Sequence, residues 1–151
     1  MKWNIWEHLF LKGEYPSRDK LLYGLTLEQV NSIPSGVSHS IYEELWHLTT
    51  WQDTVISNVR DNVDSGKEGN KFPERTPTDL KEWEDLVNKL HSGVKKIIEY
   101  TSVAGNLEKE IEPGLTIHDD LSCLAVHNAV HFGKILAIRQ ALGAWPPEEK
   151  N

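Results

Sequence analysis

The sequence is poor in cysteine, because Cys123 is the single cysteine among 151 residues. A disulfide framework needs at least two cysteines and a cysteine-rich zinc finger needs more, so both kinds of fold are excluded. A lone cysteine in a helix is most often a small core residue, and we predict that role for Cys123. A thiolate ligand or a nucleophile is the alternative that the sequence leaves open.

Long apolar segments are also missing. No uninterrupted apolar run approaches the roughly 20 residues that a helix needs to span a membrane. Residues 1–8 lack the apolar region of a secretory signal peptide. We therefore predict a cytoplasmic protein that makes no contact with a membrane.

Positive charge is in deficit, since 16 Lys and Arg residues stand against 23 Asp and Glu residues and the formal net charge is −7. A basic patch for a phosphate backbone is not evident, so binding to nucleic acid is not predicted. A chain of 151 residues with 38% hydrophobic residues can bury a core of its own. No internal repeat or domain boundary stands out, and a single domain over residues 1–151 is predicted.

Tryptophan, in contrast, is abundant for a chain of this length. Large core side chains are the favoured interpretation, and the alternative is that some of these residues line a pocket beside a polar site. The six are Trp3, Trp6, Trp46, Trp51, Trp83 and Trp145.

Four segments have apolar residues at intervals of three and four, which is the spacing of an amphipathic helix. They cover residues 2–12, 40–62, 78–101 and 116–142. The last three begin at residues suited to capping, which are Ser40, Thr78 and Thr116. Short helical turns are predicted over residues 18–24 and after Thr26, a long exposed connection over 63–77, and a weak extended piece within 103–115. Four amphipathic helices with a long middle connection predict an all-α four-helix bundle, in which metal and ligand sites lie between facing helices.

The last predicted helix turns polar in the middle of its apolar face. Asn128 and His131 occupy the positions that continue the apolar stripe, and His127 lies beside them. Residues four apart lie on the same face of a helix, so the imidazoles of His127 and His131 can point at one spot. A metal ion is the commonest reason for two imidazoles to be aimed inward at this spacing.

A metal site needs a further ligand from another helix, because catalytic zinc sites use three protein ligands and leave a position for water. His47 is the histidine that lies near the middle of a long predicted helix and beside its apolar stripe. We therefore predict a metal site at His47, His127 and His131, with His8 as a weaker candidate. Core histidines held by hydrogen bonds, without a metal, are the alternative that the spacing leaves open.

Other polar residues near the predicted site have roles that the sequence does not decide. Gln52 and Asn128 either hold water or substrate near the ion or form a plain hydrogen bond between helices. Glu43 and Glu44, one turn before the ligand on the second long helix, are the nearest carboxylates, and a solvated surface position is predicted for them. Arg139, near the end of the last helix, is expected to form a structural ion pair.

Two stretches of the sequence together resemble a known family. The first is residues 46–52, Trp-His-Leu-Thr-Thr-Trp-Gln, preceded by His-Ser-Ile at residues 39–41. The second is residues 127–133, His-Asn-Ala-Val-His-Phe-Gly, followed by Arg-Gln-Ala-Leu-Gly-Ala-Trp-Pro-Pro at residues 139–147. With residues 25–30, Leu-Thr-Leu-Glu-Gln-Val, they resemble the DinB-like (YfiT/DinB) family of metal-dependent enzymes over nearly the whole chain. The pair of histidines alone is unspecific, and the terminal Gly-x-Trp-Pro-Pro makes the pattern fairly specific.

The resemblance implies a four-helix bundle with an up-down-down-up path and a long crossover between the second and third helices. It implies a divalent ion, often nickel or zinc, held by three histidines at the positions of His47, His127 and His131. Many members are dimers, and a homodimer that acts on a small-molecule substrate is expected. The family pattern is commonly His-x3-His-x2-Gln, and this chain has Lys134 at the Gln position, so a role of that Gln in orienting a ligand or substrate is not carried over.

Related enzymes of the superfamily use low-molecular-weight thiols, among them bacillithiol S-transferases and mycothiol-dependent isomerases. The favoured function is therefore a metal-dependent thiol S-transferase, with a thiol such as bacillithiol as cofactor and the ion lowering the pKa of that thiol. A metal-dependent hydrolase, in which the ion activates water, is the alternative. A non-catalytic metal- or ligand-binding stress protein is the rival from a different class, and the sequence identifies no catalytic residue.

Overall fold

The computed structural model describes residues 2–14, 16–60 and 71–148, and these residues are mostly helical. Two short antiparallel strands, β1 (Glu110–Glu112) and β2 (Leu115–Thr116), precede the last helix. Within the described residues the helices are α1 (Ile5–Glu7), α2 (Arg18–Leu22), α3 (Leu27–Asn31), α4 (Ile41–Arg60), α5 (Leu80–Thr101) and α6 (Ile117–Ala141), with a π-helical segment, His8–Lys12, that continues α1. The prediction of a helical fold is confirmed.

The starts of α3, α4 and α6 are fixed by the capping boxes that the sequence predicts at Thr26, Ser40 and Thr116. At α4, Ser40 Oγ accepts a hydrogen bond from the backbone N–H of Glu43 at 3.1 Å. Glu43 Oε1 in turn accepts from the backbone N–H of Ser40 at 3.1 Å. Each box satisfies two backbone donors that a helix start would otherwise leave unpaired.

Helix α5 begins one residue later than predicted. Asp79 is its N-cap, because the Asp79 carboxylate accepts from the backbone N–H of Glu82 at 2.9 Å. Thr78, the predicted cap, lies outside the helix and donates its own backbone N–H to Glu82 Oε2 at 2.6 Å.

The first helical segment is shorter than the predicted 2–12. Asn4 caps α1, since its side-chain oxygen accepts from the backbone N–H of Trp6 at 2.9 Å. Trp6 and Phe10 point into the core with 6% and 3% of their surface exposed. Trp3 precedes the cap and is 69% exposed, so the core position favoured for the tryptophans was wrong for this residue.

Helix α4 lies against both α5 and α6, and apolar side chains fill most of the space between them. A polar link crosses this core: Gln52 donates to the Leu90 carbonyl at 3.2 Å and accepts from the Asn128 side chain at 3.0 Å. Gly93 leaves room for it, because a Cβ there would lie 2.4 Å from Gln52 Nε2. Gln52 and Asn128 are thus hydrogen-bond partners between helices, one of the two roles that the sequence allowed.

Arg139 joins α6 to the end of α2. Its side chain is 1% exposed, and its guanidinium donates to the carbonyls of Leu21 at 2.8 Å, Tyr23 at 2.7 Å and Ala144 at 2.9 and 3.0 Å. The predicted ion pair was therefore wrong, since among the described residues its hydrogen bonds go to backbone carbonyls. Several carbonyl oxygens can take the place of a carboxylate partner for a buried guanidinium, because each of its five N–H groups can donate a hydrogen bond.

Helix α6 is apolar on more than its buried face. By length and composition alone it could cross a membrane. The core helix of a soluble protein can be equally long and equally apolar. Helix α6 packs against α4 and buries Asn128, His131 and Arg139, which is the behaviour of a core helix.

Cys123 lies on the exposed side of α6, so the predicted core position of this cysteine was wrong.

Two predicted connections have different outcomes. The weak extended piece within 103–115 contains β1 and the first residue of β2, which pair as a short antiparallel ladder. Of the exposed connection over 63–77, residues 63–70 lie outside the described residues, as does the predicted end of the second long helix at 62. In residues 71–77, Lys71, Glu74, Arg75 and Thr76 are exposed, whereas Phe72 and Pro73 are half-buried and Pro77 is buried.

Candidate metal centre

The three predicted histidines come together between α4 and α6. His47 lies on α4, and His127 and His131 lie one turn apart on α6. Each ring offers a nitrogen, and the three nitrogens lie within 4.8 Å of one another. His47 and His131 are buried, with 3% and 7% of their surface exposed, and His127 is half-buried. Three imidazoles at this spacing could hold a divalent metal ion.

The cluster forms because α4 and α6 run antiparallel. Glu44 of α4 contacts His131 of α6, and Gln52, further along α4, contacts Asn128, which is earlier in α6. His47 lies between Glu44 and Gln52, so it faces the pair on α6. The i,i+4 spacing on α6 then brings both of its imidazoles to the same side.

Two of the rings are held by hydrogen bonds at Nδ1. His131 Nδ1 lies 2.5 Å from Glu44 Oε2, and His47 Nδ1 lies 2.9 Å from the carbonyl oxygen of Lys71. A carbonyl and a carboxylate can only accept, so Nδ1 carries the hydrogen in both rings and Nε2 keeps its lone pair. A ligand histidine that donates its other nitrogen to a carboxylate or carbonyl is the usual arrangement around protein-bound metals.

Glu44 is buried, with 3% of its surface exposed, so its predicted solvated position was wrong. Burial alone raises the pKa of this carboxyl, but the hydrogen bond from His131 and the charges of His131, Lys134 and His39 together hold the pKa below its usual value. Glu44 is therefore ionised at neutral pH. The other carboxylate, Glu43, is half-buried and belongs to the capping box of α4.

The free lone pairs of His47 and His127 are available at neutral pH. Burial lowers the pKa of both rings, and nearby imidazoles lower it further, to about 4 for His127. Neutral imidazole is the form that binds a metal. Nδ1 of His127 is also buried without a hydrogen-bond partner among the described residues. A buried polar atom without a partner indicates a site that an ion or an ordered water would complete.

Aromatic rings form the wall of the cluster. Phe72 stacks on His47 with ring centroids 4.5 Å apart, and on His39 at 3.6 Å, so three nearly parallel rings follow one another. Trp51 lies 5.8 Å from His127 on another side. Neither Phe72 nor His39 was predicted to lie at the site, and the signal for Phe72 was an aromatic residue in a segment predicted to be exposed.

Three of the six tryptophans fit one or the other of the two predicted roles. Trp6 and Trp83 are buried in the core, as the favoured interpretation requires. Trp51 lies beside the histidine cluster, as the alternative requires.

Three further predicted residues lie at or outside the margin of the cluster. Lys134 is exposed, and its charge lowers the pKa of both Glu44 and His47, so it acts on the site electrostatically. Cys123 is exposed and does not belong to the group of clustered ligand atoms found among the described residues. His8, the weaker ligand candidate, pairs with Glu14 at 3.1 Å instead.

Comparison with known proteins gives one match. A family model described as the DinB superfamily matches residues 17–135 of this chain, which is more than half of its length and includes all three histidines. No curated protein and no solved structure matches the chain.

Proposed function

The chain belongs to the DinB superfamily, and from this membership and the geometry of the histidine cluster we propose that it is a metal-dependent enzyme, specifically a low-molecular-weight-thiol S-transferase. The ion would be nickel or zinc, held by His47, His127 and His131. The observation that carries the proposal is the convergence of three imidazoles, two of which have Nδ1 engaged by a hydrogen-bond acceptor and Nε2 free. The proposed enzyme acts on a small molecule in the cytoplasm.

The spacing of the donor nitrogens suits such an ion. In a tetrahedral site with bonds of about 2.1 Å, ligand nitrogens lie roughly 3.4 Å apart. The three nitrogens lie within 4.8 Å of one another, so small side-chain rotations would bring them to ligand distance. Three protein ligands also leave at least one position open, as catalytic sites require.

The residues of the chain have distinct tasks in this proposal. When bound, the divalent ion supplies a Lewis acid that lowers the pKa of a thiol to neutral pH or below. Glu44 and the Lys71 carbonyl hold two imidazoles in the tautomer that a ligand needs. Phe72 and Trp51 limit the access of water to the cluster. Lys134 places a positive charge where a thiolate or another anionic group would approach.

Transfer is favoured over hydrolysis by the state of Glu44. A hydrolase needs a base for its nucleophilic water, and the Glu44 oxygen nearest the cluster is already bonded to His131. One observation supports the hydrolase alternative: His39 Nδ1 lies 3.7 Å from Glu44 Oε1, and a second imidazole beside a buried carboxylate is an arrangement used by general bases.

A four-helix bundle with an up-down-down-up path is the architecture that we propose for this enzyme, with α1 and its π-helical continuation as the first helix. Support comes from the contacts of α4. It runs antiparallel to α6. Towards α5, Asp53 meets Lys89 at 3.2 Å, and Gln52 and Ile56 both approach Gly93. The residue numbers of Asp53 and Ile56 rise together with those of Lys89 and Gly93, which suits parallel helices. Parallel neighbours in sequence need a long crossover between them.

A homodimer through the exposed face of α6 is also proposed. Val126 and Val130 are 67% and 53% exposed there, and Ala129, Gly133 and Ala137 lie beside them at intervals of four. A helix that is apolar all round is normally buried all round. A second copy of the chain offers an identical apolar face, and small residues allow the two helices to approach closely.

A conjugation assay tests the proposed reaction. Protein loaded with nickel or zinc is incubated with a small thiol and a generic electrophile, and in parallel with a panel of esters without thiol. We expect turnover that needs thiol and metal together and falls by at least a hundredfold in His127→Ala, with His91→Ala as the matched control. Ester turnover without thiol would support the hydrolase. Bound metal without turnover in either assay would favour a non-catalytic binding protein.

A further inference from the structure

Arg18, at the start of α2, carries a charge that no carboxylate neutralises among the described residues. Its Cζ lies 4.4 Å from the centre of the Phe132 ring on α6. Gly13 packs closely against the same guanidinium, since a Cβ on Gly13 would lie 2.9 Å from Arg18 Cζ. Nε of Arg18 is buried and has no hydrogen-bond partner in the described part of the chain. Burial also lowers the pKa of Arg18, which indicates that its charge is partly desolvated.

A cavity of about 340 Å³ adjoins this guanidinium. Its apolar lining includes Leu9, Leu21, Ala125, Ala129, Phe132 and Leu136. Glu14 belongs to the rim, but its side chain is 91% exposed and contacts His8 at 3.1 Å, so it does not neutralise Arg18. The cavity therefore combines one half-buried cation with a mostly apolar wall.

Two other cavities in the structure lack this combination. In the cavity of about 640 Å³ that includes Arg139, the guanidinium is satisfied by backbone carbonyls. In the cavity of about 450 Å³ between α2 and α5, His91 pairs with Asp19 at 3.0 Å. Arg139 thus has carbonyl acceptors and His91 faces the Asp19 carboxylate, whereas Arg18 has no carboxylate partner among the described residues.

We propose that the Arg18 cavity is a second binding site, which takes a small-molecule carboxylate with an apolar tail. The planar guanidinium offers paired N–H donors that match the two oxygens of a carboxylate. The tail lies along the apolar wall. Ala125 and Ala129 are on the side of α6 opposite the histidine pair, because positions two residues apart differ by about 200° around a helix, and Phe132 is turned about 100° away from His131. The site is therefore separate from the histidine cluster and does not depend on the proposed function.

Calorimetric titration of the full-length protein tests this site with four probes: hexanoate, acetate, 1-hexanol and inorganic phosphate. Hexanoate should bind most tightly, because each buried methylene adds up to about fourfold in affinity. Hexanol, which has the tail without the charge, and phosphate, which has charge without a tail, should each bind at least tenfold more weakly than hexanoate.

Variants then assign the binding to Arg18. Arg18→Gln should lose ten- to a hundredfold in hexanoate affinity, the usual effect of a lost charge-assisted hydrogen bond. Arg18→Lys, which keeps the charge but not the paired donors, should lie between wild type and Arg18→Gln. Lys109→Gln removes an exposed positive charge elsewhere and should bind within twofold of wild type.

The variant His127→Ala distinguishes hexanoate bound at Arg18 from hexanoate bound to a metal at the histidine cluster. It should bind hexanoate with the same affinity as the wild type. Loss of binding in that variant would overturn the proposal without affecting the proposed function. Equal affinity for hexanoate and hexanol, or unchanged affinity in Arg18→Gln, would also overturn it. If Arg18→Gln fails to fold, two comparisons still test the proposal. Hexanoate should bind more weakly to Arg18→Lys than to the wild type, and the wild type should bind hexanoate more tightly than hexanol.

Discussion

At the scale of single residues, Glu44 supports the histidine cluster through a direct hydrogen bond with His131. It is a buried carboxylate whose ionised form is kept by its hydrogen bond with His131. That bond fixes the tautomer of His131, and it also makes the imidazole a more basic ligand. A buried negative charge beside three imidazoles further favours a cation at their centre.

Replacement of this carboxylate should weaken metal binding. Glu44→Gln keeps the size of the side chain but removes the charge, and we expect the affinity for zinc or nickel to fall about 10- to 100-fold. Glu43→Gln is the matched control, because Gln also serves at this position of a capping box. Competition with a chromophoric chelator measures both affinities. Equal affinities in the two variants would show that Glu44 does not support the site.

The titration of the histidines should be visible in the stability of the metal-free protein. Folding lowers the pKa of His47 and His127, the latter to about 4, so below pH 6.5 the unfolded chain binds more protons than the folded one. Stability is then constant above about pH 7 and falls as the pH drops from 6.5 towards 4. Because the His127 ring is half exposed, its contribution is on the order of 1–2 kcal/mol.

Urea denaturation in the presence of a chelator, at several pH values between 7.5 and 5, measures this effect. His127→Gln removes one of the titrating rings, so its stability should depend less steeply on pH than that of the wild type. The same slope in both proteins would contradict the assigned shift.

At the scale of elements, the close contact of α4 with α5 depends on a glycine. Gly93→Ala places a methyl group 2.4 Å from Gln52 Nε2 and displaces the side chain that joins α4 to α5 and α6. We expect a loss of about 2 kcal/mol in the free energy of unfolding, although alanine is the better helix former by about 1 kcal/mol. Within one chain Gly133→Ala on α6 meets nothing within 4 Å, so in the Val130→Lys background, in which the proposed dimer is broken, it should raise stability by about 0.5–1 kcal/mol. Chemical denaturation of both variants checks the contrast, and a stable Gly93→Ala would contradict it.

The helices and the histidine triad could be predicted because both depend on local spacing. The capping boxes at Ser40 and Thr116 fix where α4 and α6 begin, and the i,i+4 pair fixes one side of the site. His47 could then be found, because it is the histidine that lies near the middle of another long helix and also beside its apolar stripe. These features need no knowledge of how the chain returns on itself.

Features that depend on contacts distant in sequence could not be predicted. Phe72 and the Lys71 carbonyl reach the cluster from a connection without any periodic pattern. The burial of Glu44 depends on which residue of α6 faces it. Cys123 was assigned to the core because a lone helical cysteine is usually a small core residue. The pattern of α6 did not correct this, since the helix is apolar on its exposed side as well.

At the scale of the whole molecule, the exposed apolar side of α6 predicts self-association. Val130→Lys places a charge in the middle of the proposed dimer interface and should convert the dimer to a monomer. Ser92→Lys, at an exposed position of α5, is the matched control and should leave the dimer intact. Light scattering coupled to size-exclusion chromatography measures the mass. A monomeric wild type, or a dimeric Val130→Lys, would contradict this interface.

The central claim is that three histidines from two helices hold one divalent ion, and metal analysis tests it most directly. Full-length protein made without a histidine tag is incubated with zinc or nickel, desalted and analysed for bound metal. We expect about one ion per chain in the wild type and in His118→Ala, and almost none in His47→Ala or His131→Ala that remain folded by circular dichroism. Equal metal contents in all four proteins, whether near zero or near one, would contradict the account.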